Sequence, residues 1–582
     1  MSRALRSLRL VAALVLLAGC LTGCMGVPSA GPVVSVGADQ QTAGDTGIAI
    51  DPRPPRSGMS PQEIVDGFLE AMLATPLQTS TAQQYLTRDA RAAWDPSDQV
   101  MVYSDREAAT TDGDHVTVTL GAAWSIDERG AWEGAVPDAD RALGFDVVQV
   151  DGQWRIARAP DALIVPDWWF EGRYQQMSLY YFNADHTMLV PEPVFVPRGN
   201  ELATVLVRDL VLGPGAGLDG VVHSVVPEGV GQGLSVPVDE DGVADIALTG
   251  GAAGSARPLT TDEVALLTAQ LAWTLRQDPD IREVRLSIGG QPVLQPDGHD
   301  EFGVDAGPRA DPVGYQSSQL LYGLREGRVV AGTLPTFRPT TGLLGRRDHG
   351  VRSIAIDLRA TQVAAVSTSG TSLLLASMTS LNETLTTPLT GATDLLKPAW
   401  DGVGRLWLVD RRDGGAVVRA IVGSRVVRVR VPGVSGADVR RFVVSRDGTR
   451  LIAVVRTKAG DSVVVTRIAT GAGDVPSGVG PARVISDDAG AVDDLAWSST
   501  TTVRVLRRLG ENARVTTLPI DGSGAALLAG GTLVGQPLTA LVGSPATGQV
   551  TLGVDGQRLV SLSSLGGDQT LSDAVTALTY AG

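Results

Sequence analysis

The spacing of apolar residues predicts helices at the start of the first folded region, between residues 60 and 94. One apolar stripe at helical spacing consists of Ile64, Val65, Phe68, Leu69, Met72 and Leu73. Ser60-Pro61-Gln62-Glu63 stands before this stripe and has the capping-box pattern, with proline at the first helical position. We therefore predict a helix that begins at Pro61, and a second short helix from Tyr85 to Trp94.

Beyond residue 100 the apolar period changes to two, which is typical of half-buried strands. Val116, Val118 and Leu120 alternate with threonines, and Phe145 and Val147 lead into the hairpin-turn pair Asp151-Gly152. Helices followed by antiparallel strands predict an α+β domain over residues 60–166, of the cone-like type seen in NTF2-like folds. The next segment, 167–199, is dense in aromatic residues. It forms either a packed seam between domains or a ligand groove.

Residues 200–300 mix both periods and predict a compact α/β domain. Helical stripes start at Leu202, where Gly213-Pro214 provides the stop, and after the capping box Thr260-Thr261-Asp262-Glu263. Strands are expected at 221–226, 234–238, 243–248 and 284–288. The acidic run at 239–242 resembles a fragment of a calcium loop, but the strands around it favour a hairpin turn.

From residue 312 to the C terminus at 582 the pattern is entirely β, and it repeats. Equivalent apolar positions recur with steps of 44, 44, 53 and 45 residues; they are Ile356, Trp400, Val444, Trp497 and Val542. A period near 45 in a β region predicts propeller blades of about four strands each. Five blades are recognisable, and a sixth is plausible from Leu320 to Val330.

The N-terminal residues predict export and lipid attachment. Three arginines precede an eight-residue apolar run at 10–17, too short to cross a bilayer, which needs roughly 20 apolar residues. Two overlapping sequences resemble the bacterial lipobox, Leu17-Ala18-Gly19-Cys20 and Leu21-Thr22-Gly23-Cys24. We predict a signal peptide over 1–23 and S-diacylglycerol and N-acyl (palmitate-type) lipidation at Cys24, with Cys20 as the alternative. Residues 24–59, rich in Gly, Pro and Ser, are then a flexible tether.

Composition and charge exclude several classes of function. The formal net charge of −16 disfavours nucleic-acid binding. The only two cysteines lie in the leader, so the folded regions hold no disulfide or thiolate metal site. No two of the histidines have the local spacing of a zinc motif; they are His115, His186, His223, His299 and His349. The chain has no GxSxG elbow and no P-loop, so we expect no catalytic residues, no bound metal and no cofactor.

Several short segments in this order resemble the LpqB family of actinobacterial lipoproteins. They are 24–29 (CMGVPS), 179–193 with Pro191-Glu192-Pro193, the GerMN-like pieces 212–214, 227–229 and 271–275, and the propeller pieces 398–401, 406–407 and 445–450. The last, Ser445-Arg446-Asp447-Gly448-Thr449-Arg450, superficially resembles a sialidase Asp-box, but we interpret it as a tight structural turn. The resemblance implies a GerMN domain and a C-terminal propeller. It also implies an accessory role toward an MtrAB-like two-component system, through the extracellular domain of an MtrB-like sensor histidine kinase, in cell-envelope homeostasis and division.

Three functional hypotheses therefore stand. The first is a non-enzymatic regulatory lipoprotein on the extracytoplasmic face of the cell membrane. The second is an envelope glycan or peptide hydrolase with its site in the propeller channel, which requires two converging carboxylates. The third is a solute-binding module that uses the channel, the aromatic segment or the cone of the first domain.

Overall fold

The computed structural model describes residues 52–582 except 76, 251–258, 381–383, 489, 525–530, 536, 547, 557, 563–568 and 571–574. The described α-helices are α1 (Pro61–Ala71), α2 (Arg88–Ala93), α3 (Asp167–Arg173), α4 (Leu202–Leu212), α5 (Thr261–Leu275) and α6 (Leu343–Arg346). Short 3₁₀ helices lie at Ala82–Tyr85, Asp138–Asp140, Ala216–Leu218, Pro308–Ala310 and Ala472–Asp474. Among the described residues, no helix has both the length and the apolar character to cross a membrane.

The N-terminal domain packs α1 against two four-stranded sheets. One sheet has the order β5 (Trp132–Ala135), β4 (Ala123–Asp127), β1 (Gln99–Tyr103) and β8 (Leu163–Pro166), and the other β2 (Thr110–Asp112), β3 (His115–Thr119), β6 (Ala142–Val150) and β7 (Gln153–Arg158). The predicted capping box is present, since the Ser60 hydroxyl accepts from the Glu63 amide and the Glu63 carboxylate accepts from the Ser60 amide. Asp151 and Gly152 both adopt positive φ in the β6–β7 turn, as predicted.

Two expectations for this domain are corrected. The predicted helix from Tyr85 to Trp94 is split, because Leu86 leaves the helical path to form a bridge with Ile156 in β7. Thr87 then caps α2 through its side chain. The strands are also not all antiparallel as predicted, because β1 and β8 pair in parallel.

The hydrophobic core of the N-terminal domain continues past residue 166. Trp169 and Phe170 of α3, together with Tyr174, are buried in the same cluster as the α1 stripe. After them come β9 (Tyr174–Phe182) and β10 (Leu189–Pro197), which form a long antiparallel hairpin. Inner residues of this hairpin, including Leu179, Tyr181 and Val190, belong to the next core along the chain. The aromatic segment thus joins two hydrophobic cores.

The second domain is built on a mixed sheet with α4 and α5 packed on it. Its strands are β11 (Val230–Gln232), β12 (Val243–Gly250), β13 (Glu283–Ile288), β14 (Gln291–Pro292) and β15 (Glu301–Gly303), with β12 and β13 parallel. The helix predicted from Leu202 ends where expected, with Gly213 at φ 78°. The Thr260 capping box also forms.

Two predicted strands of this domain do not form. Within 221–226 only His223 pairs with another strand residue, Phe182, while the Val225 amide donates to the side chain of Gln270 on α5. Within 234–238 the Val236 amide donates to the hydroxyl of Thr204, and Pro237 has no amide hydrogen to offer a sheet. Side chains thus replace the expected sheet partners at Val225 and Val236, while Val238 keeps a single antiparallel bridge to Ala244 of β12.

The C-terminal region consists of six four-stranded antiparallel sheets among the described residues. Their strands are β16 (Leu321–Arg325), β17 (Arg328–Thr333), β18 (Thr336–Pro339) with β39 (Thr576–Tyr580); β19 (Val351–Ile356), β20 (Gln362–Ser367), β21 (Leu373–Ser377), β22 (Thr386–Leu389); β23 (Ala399–Trp400), β24 (Leu406–Asp410), β25 (Val417–Val422), β26 (Arg425–Arg428); β27 (Asp438–Val444), β28 (Arg450–Arg456), β29 (Asp461–Thr470), β30 (Pro476–Ser486); β31 (Val492–Trp497), β32 (Thr502–Leu509), β33 (Asn512–Pro519), β34 (Gly531–Val534); and β35 (Ala540–Val542), β36 (Leu552–Asp555), β37 (Arg558–Ser561), β38 (Gln569–Thr570).

The innermost strands of these sheets contact one another in a closed order: β39, β19, β23, β27, β31, β35 and back to β39. Each of the five aligned sequence positions, from Ile356 to Val542, is the last residue of an innermost strand. The repeat in the sequence therefore marks structurally equivalent places. The segment from Leu320 to Val330 contributes to a further sheet, which the C-terminal strand β39 completes.

Candidate functional site

The innermost strands enclose a central channel, which forms a cavity of about 460 Å³. Its lining changes along its length. Near the beginnings of the strands it is polar, with Lys397, Arg441 and Asp494; further along it is formed by apolar residues such as Ile356 and Trp497. A cavity of this size and mixed character suits a small molecule.

The described lining of the channel does not hold the carboxylate pair that a glycoside hydrolase requires. Among its described lining residues Asp494 is the only acid. One Asp494 carboxylate oxygen accepts from Arg441 Nε at 3.2 Å and the other from the Leu541 amide at 2.8 Å. Asp494 is thus a positioned anchor between neighbouring strands, and this geometry offers no general acid and base.

The turn after β27 explains the motif at 445–450. Asp447 Oδ1 accepts from the Ser445 hydroxyl at 2.6 Å and from the Thr449 amide at 2.8 Å. Gly448 follows at φ 75°, a conformation that favours glycine. The motif closes a tight turn between two strands, as the sequence interpretation stated.

The two arginines of this motif point to different parts of the molecule. Arg446 donates to the carbonyl of Val313 at 2.6 Å, to the hydroxyl of Ser544 at 3.0 Å and to the carbonyl of Ala581. Burial lowers the pKa of Arg446 to about 10. Because these partners come from the start, the last sheet and the C terminus of the propeller region, Arg446 ties the ring together at one end of the channel.

Arg450, the second arginine, is fully buried and anchors the β9–β10 hairpin. It donates to the carbonyl of Pro191 at 2.6 Å and to Glu192 Oε1 at 2.6 Å. Arg467 donates to both oxygens of the same carboxylate, at 2.7 and 2.6 Å. Burial lowers the pKa of Arg450, and the charge of Glu192 opposes that shift. We call Glu192, Arg450 and Arg467 the docking cluster.

Sequence reasoning gave Glu192 no role beyond its place in the family resemblance. A signal was present, however, since an acid between two prolines in an otherwise apolar segment is an unusual choice for a buried strand. Its two arginine partners lie more than 250 residues further along the chain. No local pattern connects groups so far apart.

A second buried network supports the same end of the propeller. Asp401 accepts from the Arg405 amide at 2.8 Å, from Arg405 Nε at 2.7 Å and from Trp407 Nε1 at 2.9 Å. Burial raises the pKa of Asp401, while the charge and hydrogen bonds of Arg405 lower it. Arg405 also donates to the carbonyl of Gly448 at 3.2 Å. Arg405 therefore joins the turn at 401–405 to the turn at 445–450.

The aromatic segment packs as a seam. Phe170 stacks on Tyr174 at 4.5 Å between ring centroids, and Tyr180 contacts Trp273 of α5 at 5.6 Å. Burial raises the pKa of Tyr180 to about 12. Trp168 differs, with 59% of its surface exposed. The packing favours the seam over a ligand groove.

Where the first two domains meet, Asp209 on α4 is buried beside charged neighbours. Arg208 donates to its carboxylate, and the charges of Asp127 and Arg129 act on it from the N-terminal domain. Burial raises the pKa of Asp209 to about 6, while Arg208 and Arg129 lower it and Asp127 raises it. The Arg129 Nε donates to the Gly213 carbonyl at 3.0 Å across the same contact.

The histidines and the acidic loop supply no metal centre in the part of the chain that the structure describes, where no three His, Cys, Asp or Glu residues converge. His186 and His223 do meet, at 5.6 Å between rings, and burial followed by the charge of His223 lowers the pKa of His186. At 239–242, Asp239 accepts from the amides of Asp241 and Val243, as in a hairpin turn. The predicted signal peptide, Cys20 and Cys24 lie outside the described residues.

Three family models match the chain in the order of its domains. "Lipoprotein LpqB, N-terminal domain" matches residues 54–171, "Sporulation and spore germination" (Germane) matches 178–294, and "Lipoprotein LpqB beta-propeller domain" matches 327–570. The two LpqB models together span more than half of the chain. The chain belongs to the LpqB family.

Curated LpqB relatives match over nearly the whole length. Lipoprotein LpqB of Thermobifida fusca is 28% identical over 91% of this chain and 92% of that protein. Lipoprotein LpqB of Cutibacterium acnes is 28% identical over 92% and 93%, respectively, and that of Mycolicibacterium smegmatis is 27% identical over 77% and 78%. These relatives carry the name of a lipoprotein, so the LpqB chain described here is a member of a membrane-associated lipoprotein family.

Two similar solved structures each align with less than half of the chain. TolB from Acinetobacter baumannii aligns with 45% of this chain and 66% of its own, at 15% identity and a TM-score of 0.30. A chain of the nidogen/laminin complex aligns with 45% of this chain and 98% of its own, at 13% identity and a TM-score of 0.33.

Proposed function

We propose that this LpqB-family chain is an extracytoplasmic lipoprotein that acts, without catalysis, as an accessory regulator of an MtrB-like sensor histidine kinase. Its anchor is the lipid on Cys24, and its folded domains face the outside of the cell membrane. The observation that carries the proposal is the docking cluster, which fixes the β9–β10 hairpin to the propeller through buried charges. A hairpin held in a fixed position on the propeller suits a protein that presents a defined surface to a partner.

Additional contacts support a rigid arrangement of the domains. Arg483 of the propeller donates to the carbonyl of Trp132 in the N-terminal domain. Gln176 of the hairpin donates to Asp521 at 3.0 Å. Phe195 of the hairpin packs against Trp132 at 5.9 Å between ring centroids. The hairpin is therefore in contact with both neighbouring domains.

The finer fold assignments belong to this proposal. We interpret the six C-terminal sheets as six propeller blades, because their innermost strands contact one another in a closed ring. We interpret the N-terminal domain as NTF2-like, because α1 packs against the strands β3 and β7 of a four-stranded antiparallel sheet. A high-resolution crystal structure would test both assignments directly.

Lipidation is tested by metabolic labelling with an alkyne-tagged fatty acid in the native host. The Cys24→Ala chain is expected to lose the label, and the matched Cys20→Ala chain to keep it. Label lost only in Cys20→Ala would assign the anchor to Cys20. Label retained on both variants would refute attachment at either cysteine.

The partner is tested by measuring binding of the chain from Gly26 onward to the extracellular domain of the cognate sensor kinase. We expect a Kd in the micromolar range or tighter; a micromolar Kd corresponds to a binding free energy of about −8 kcal/mol. An extracellular domain from an unrelated sensor kinase of the same host is the control. No binding at concentrations well above micromolar, or equal binding to both domains, would refute direct regulation.

The hydrolase and solute-binding alternatives make different demands. A hydrolase needs a second carboxylate beside Asp494, and the described lining supplies only one acid. A solute-binding role is favoured by a specific observation, the polar end of the channel. That observation is developed below.

A further inference from the structure

One level of the central channel gathers polar residues from consecutive innermost strands. Three residues before each aligned apolar position stands Ser353, Lys397, Arg441, Asp494 or Thr539. All five line the channel cavity. Because the strands are equivalent in the ring, these residues form a polar ring at one end of the channel.

The charges of this polar ring do not cancel. Arg441 is compensated, since its Nε donates to Asp494 and its Nη1 donates to a backbone carbonyl at 2.9 Å. Both Asp494 oxygens are already occupied by donors. No hydrogen bond or ion pair joins the Lys397 ammonium to any other residue that the structure describes. One positive charge is left over.

The Lys397 side chain reaches into the channel. It is accessible to solvent and lines the cavity, and the charges of Asp494 and Arg441 both act on its ammonium. Within the cavity the surrounding protein atoms lower the pKa of Lys397 by desolvation, the charge of Asp494 raises it, and that of Arg441 lowers it.

The neighbouring strand adds a second group without a partner. The Ser353 hydroxyl on β19, which contacts β23, is buried in the channel wall and has no hydrogen-bond partner among the described residues. Leaving a buried hydroxyl unpaired costs free energy. A ligand oxygen at this level would pair with it once the Ser353 side chain turned toward the cavity.

Buried residues from different parts of the propeller region meet at the opposite end of the channel. Arg446 ties Val313, Ser544 and Ala581 together there. The docking cluster also involves the turn that follows β27, at that same end. From the cationic Lys397 end, the channel therefore leads past apolar walls toward the buried Arg446.

We propose that the Lys397 end of the propeller channel binds a small organic carboxylate with an apolar body. The ammonium of Lys397 would hold the carboxylate, and the walls near Ile356 and Trp497 would hold the apolar part. A single uncompensated charge matches a monoanion, whereas a phosphate dianion would need a second free cation. This site does not depend on the kinase partner proposed above.

The test uses the fact that the chain has only two lysines, Lys397 and Lys458. Lys458 is exposed in the turn between β28 and β29. The chain from Gly26 onward is treated with an amine-reactive ester, and labelling of each lysine is followed by peptide mass spectrometry. Benzoate is the probe, benzamide its neutral counterpart, and inorganic phosphate a different anion.

Benzoate is expected to slow the labelling of Lys397 and leave Lys458 unchanged, while benzamide protects neither. Lys397→Met should weaken benzoate binding, measured by calorimetry, about tenfold or more, and the matched Lys458→Met should not change it. Equal labelling of Lys397 with and without benzoate would overturn the proposal. Equal protection of both lysines, protection by phosphate but not benzoate, or full affinity in Lys397→Met would also overturn it.

Discussion

Replacing Glu192 by glutamine should loosen the β9–β10 hairpin from the propeller. The carboxylate accepts three hydrogen bonds from two guanidinium groups, and only 7% of its side chain is exposed. Glutamine keeps one acceptor oxygen but turns an NH₂ group toward arginine donors. Arg450, which has no exposed surface, then keeps its charge with a weaker partner.

The size of the effect follows from these contacts. Breaking a buried ion pair by removing one partner costs about 3–5 kcal/mol. Arg467 retains 26% exposure, so water replaces part of its loss, and Asp447 still faces Arg450 at 3.2 Å. We therefore expect the lower figure, about 3 kcal/mol, which is roughly a 150-fold rise in the equilibrium constant for local opening.

Hydrogen–deuterium exchange measures that local opening directly, because amide exchange reports the free energy of opening segment by segment. Peptides covering 187–197 and 445–451 should exchange faster in Glu192→Gln, while peptides of β1 and β8 should not change. Glu326→Gln is the matched control, since Glu326 pairs with Arg328 but is 74% exposed. Hairpin exchange within about threefold of the control would refute the docking role of Glu192.

Three further outcomes are expected. Burial raises the pKa of Asp209 to about 6, so the folded state binds this proton more tightly than the unfolded state does, and the free energy of unfolding should fall as pH rises from about 4 to 6. Asp209→Asn should remove this pH dependence from the unfolding midpoints. At pH 7 it should raise the free energy of unfolding by up to about 3 kcal/mol. Arg446→Gln should lower the midpoint of thermal unfolding and make the residues near Ala581 sensitive to carboxypeptidase, whereas Arg428→Gln, at an exposed arginine, should do neither. Carboxypeptidase resistance that is unchanged in Arg446→Gln would contradict the role of Arg446 in ring closure. Ser60→Ala should cost about 1 kcal/mol in chemical unfolding through the lost helix cap, and no change would show that the cap adds nothing.

The features that the sequence predicted well are local ones. Capping boxes at Ser60 and Thr260, the stop at Gly213 and the blade period all depend on residues close together in the chain. Where the prediction was wrong, a group from a distant part of the chain, either a side chain or a strand backbone, had intervened. The side chain of Gln270 on α5 accepts the hydrogen bond of the Val225 amide. Leu86 pairs with Ile156 of β7 and is therefore not helical.

The candidate sites show the same limit. The leftover charge of Lys397 becomes visible only when Arg441 and Asp494 are placed beside it, because their pairing depends on how three blades are aligned. Glu192 meets its arginines only after the chain has folded back over more than 250 residues. Sequence periodicity predicts such a ring but does not reveal which of its charges remain unpaired.

The pairing of β39 with β16 has a consequence for biosynthesis. The first sheet of the propeller lacks its innermost strand until Thr576–Tyr580 have been made, because those residues pair with Leu321–Arg325. A growing chain can fold its two N-terminal domains as they emerge, since their cores contain only earlier residues apart from contacts with Ala469 and Val479. The ring itself can close only after Thr576–Tyr580 have been synthesised. A nonsense mutation upstream of the Thr576 codon would thus leave the two N-terminal domains folded and the propeller unclosed.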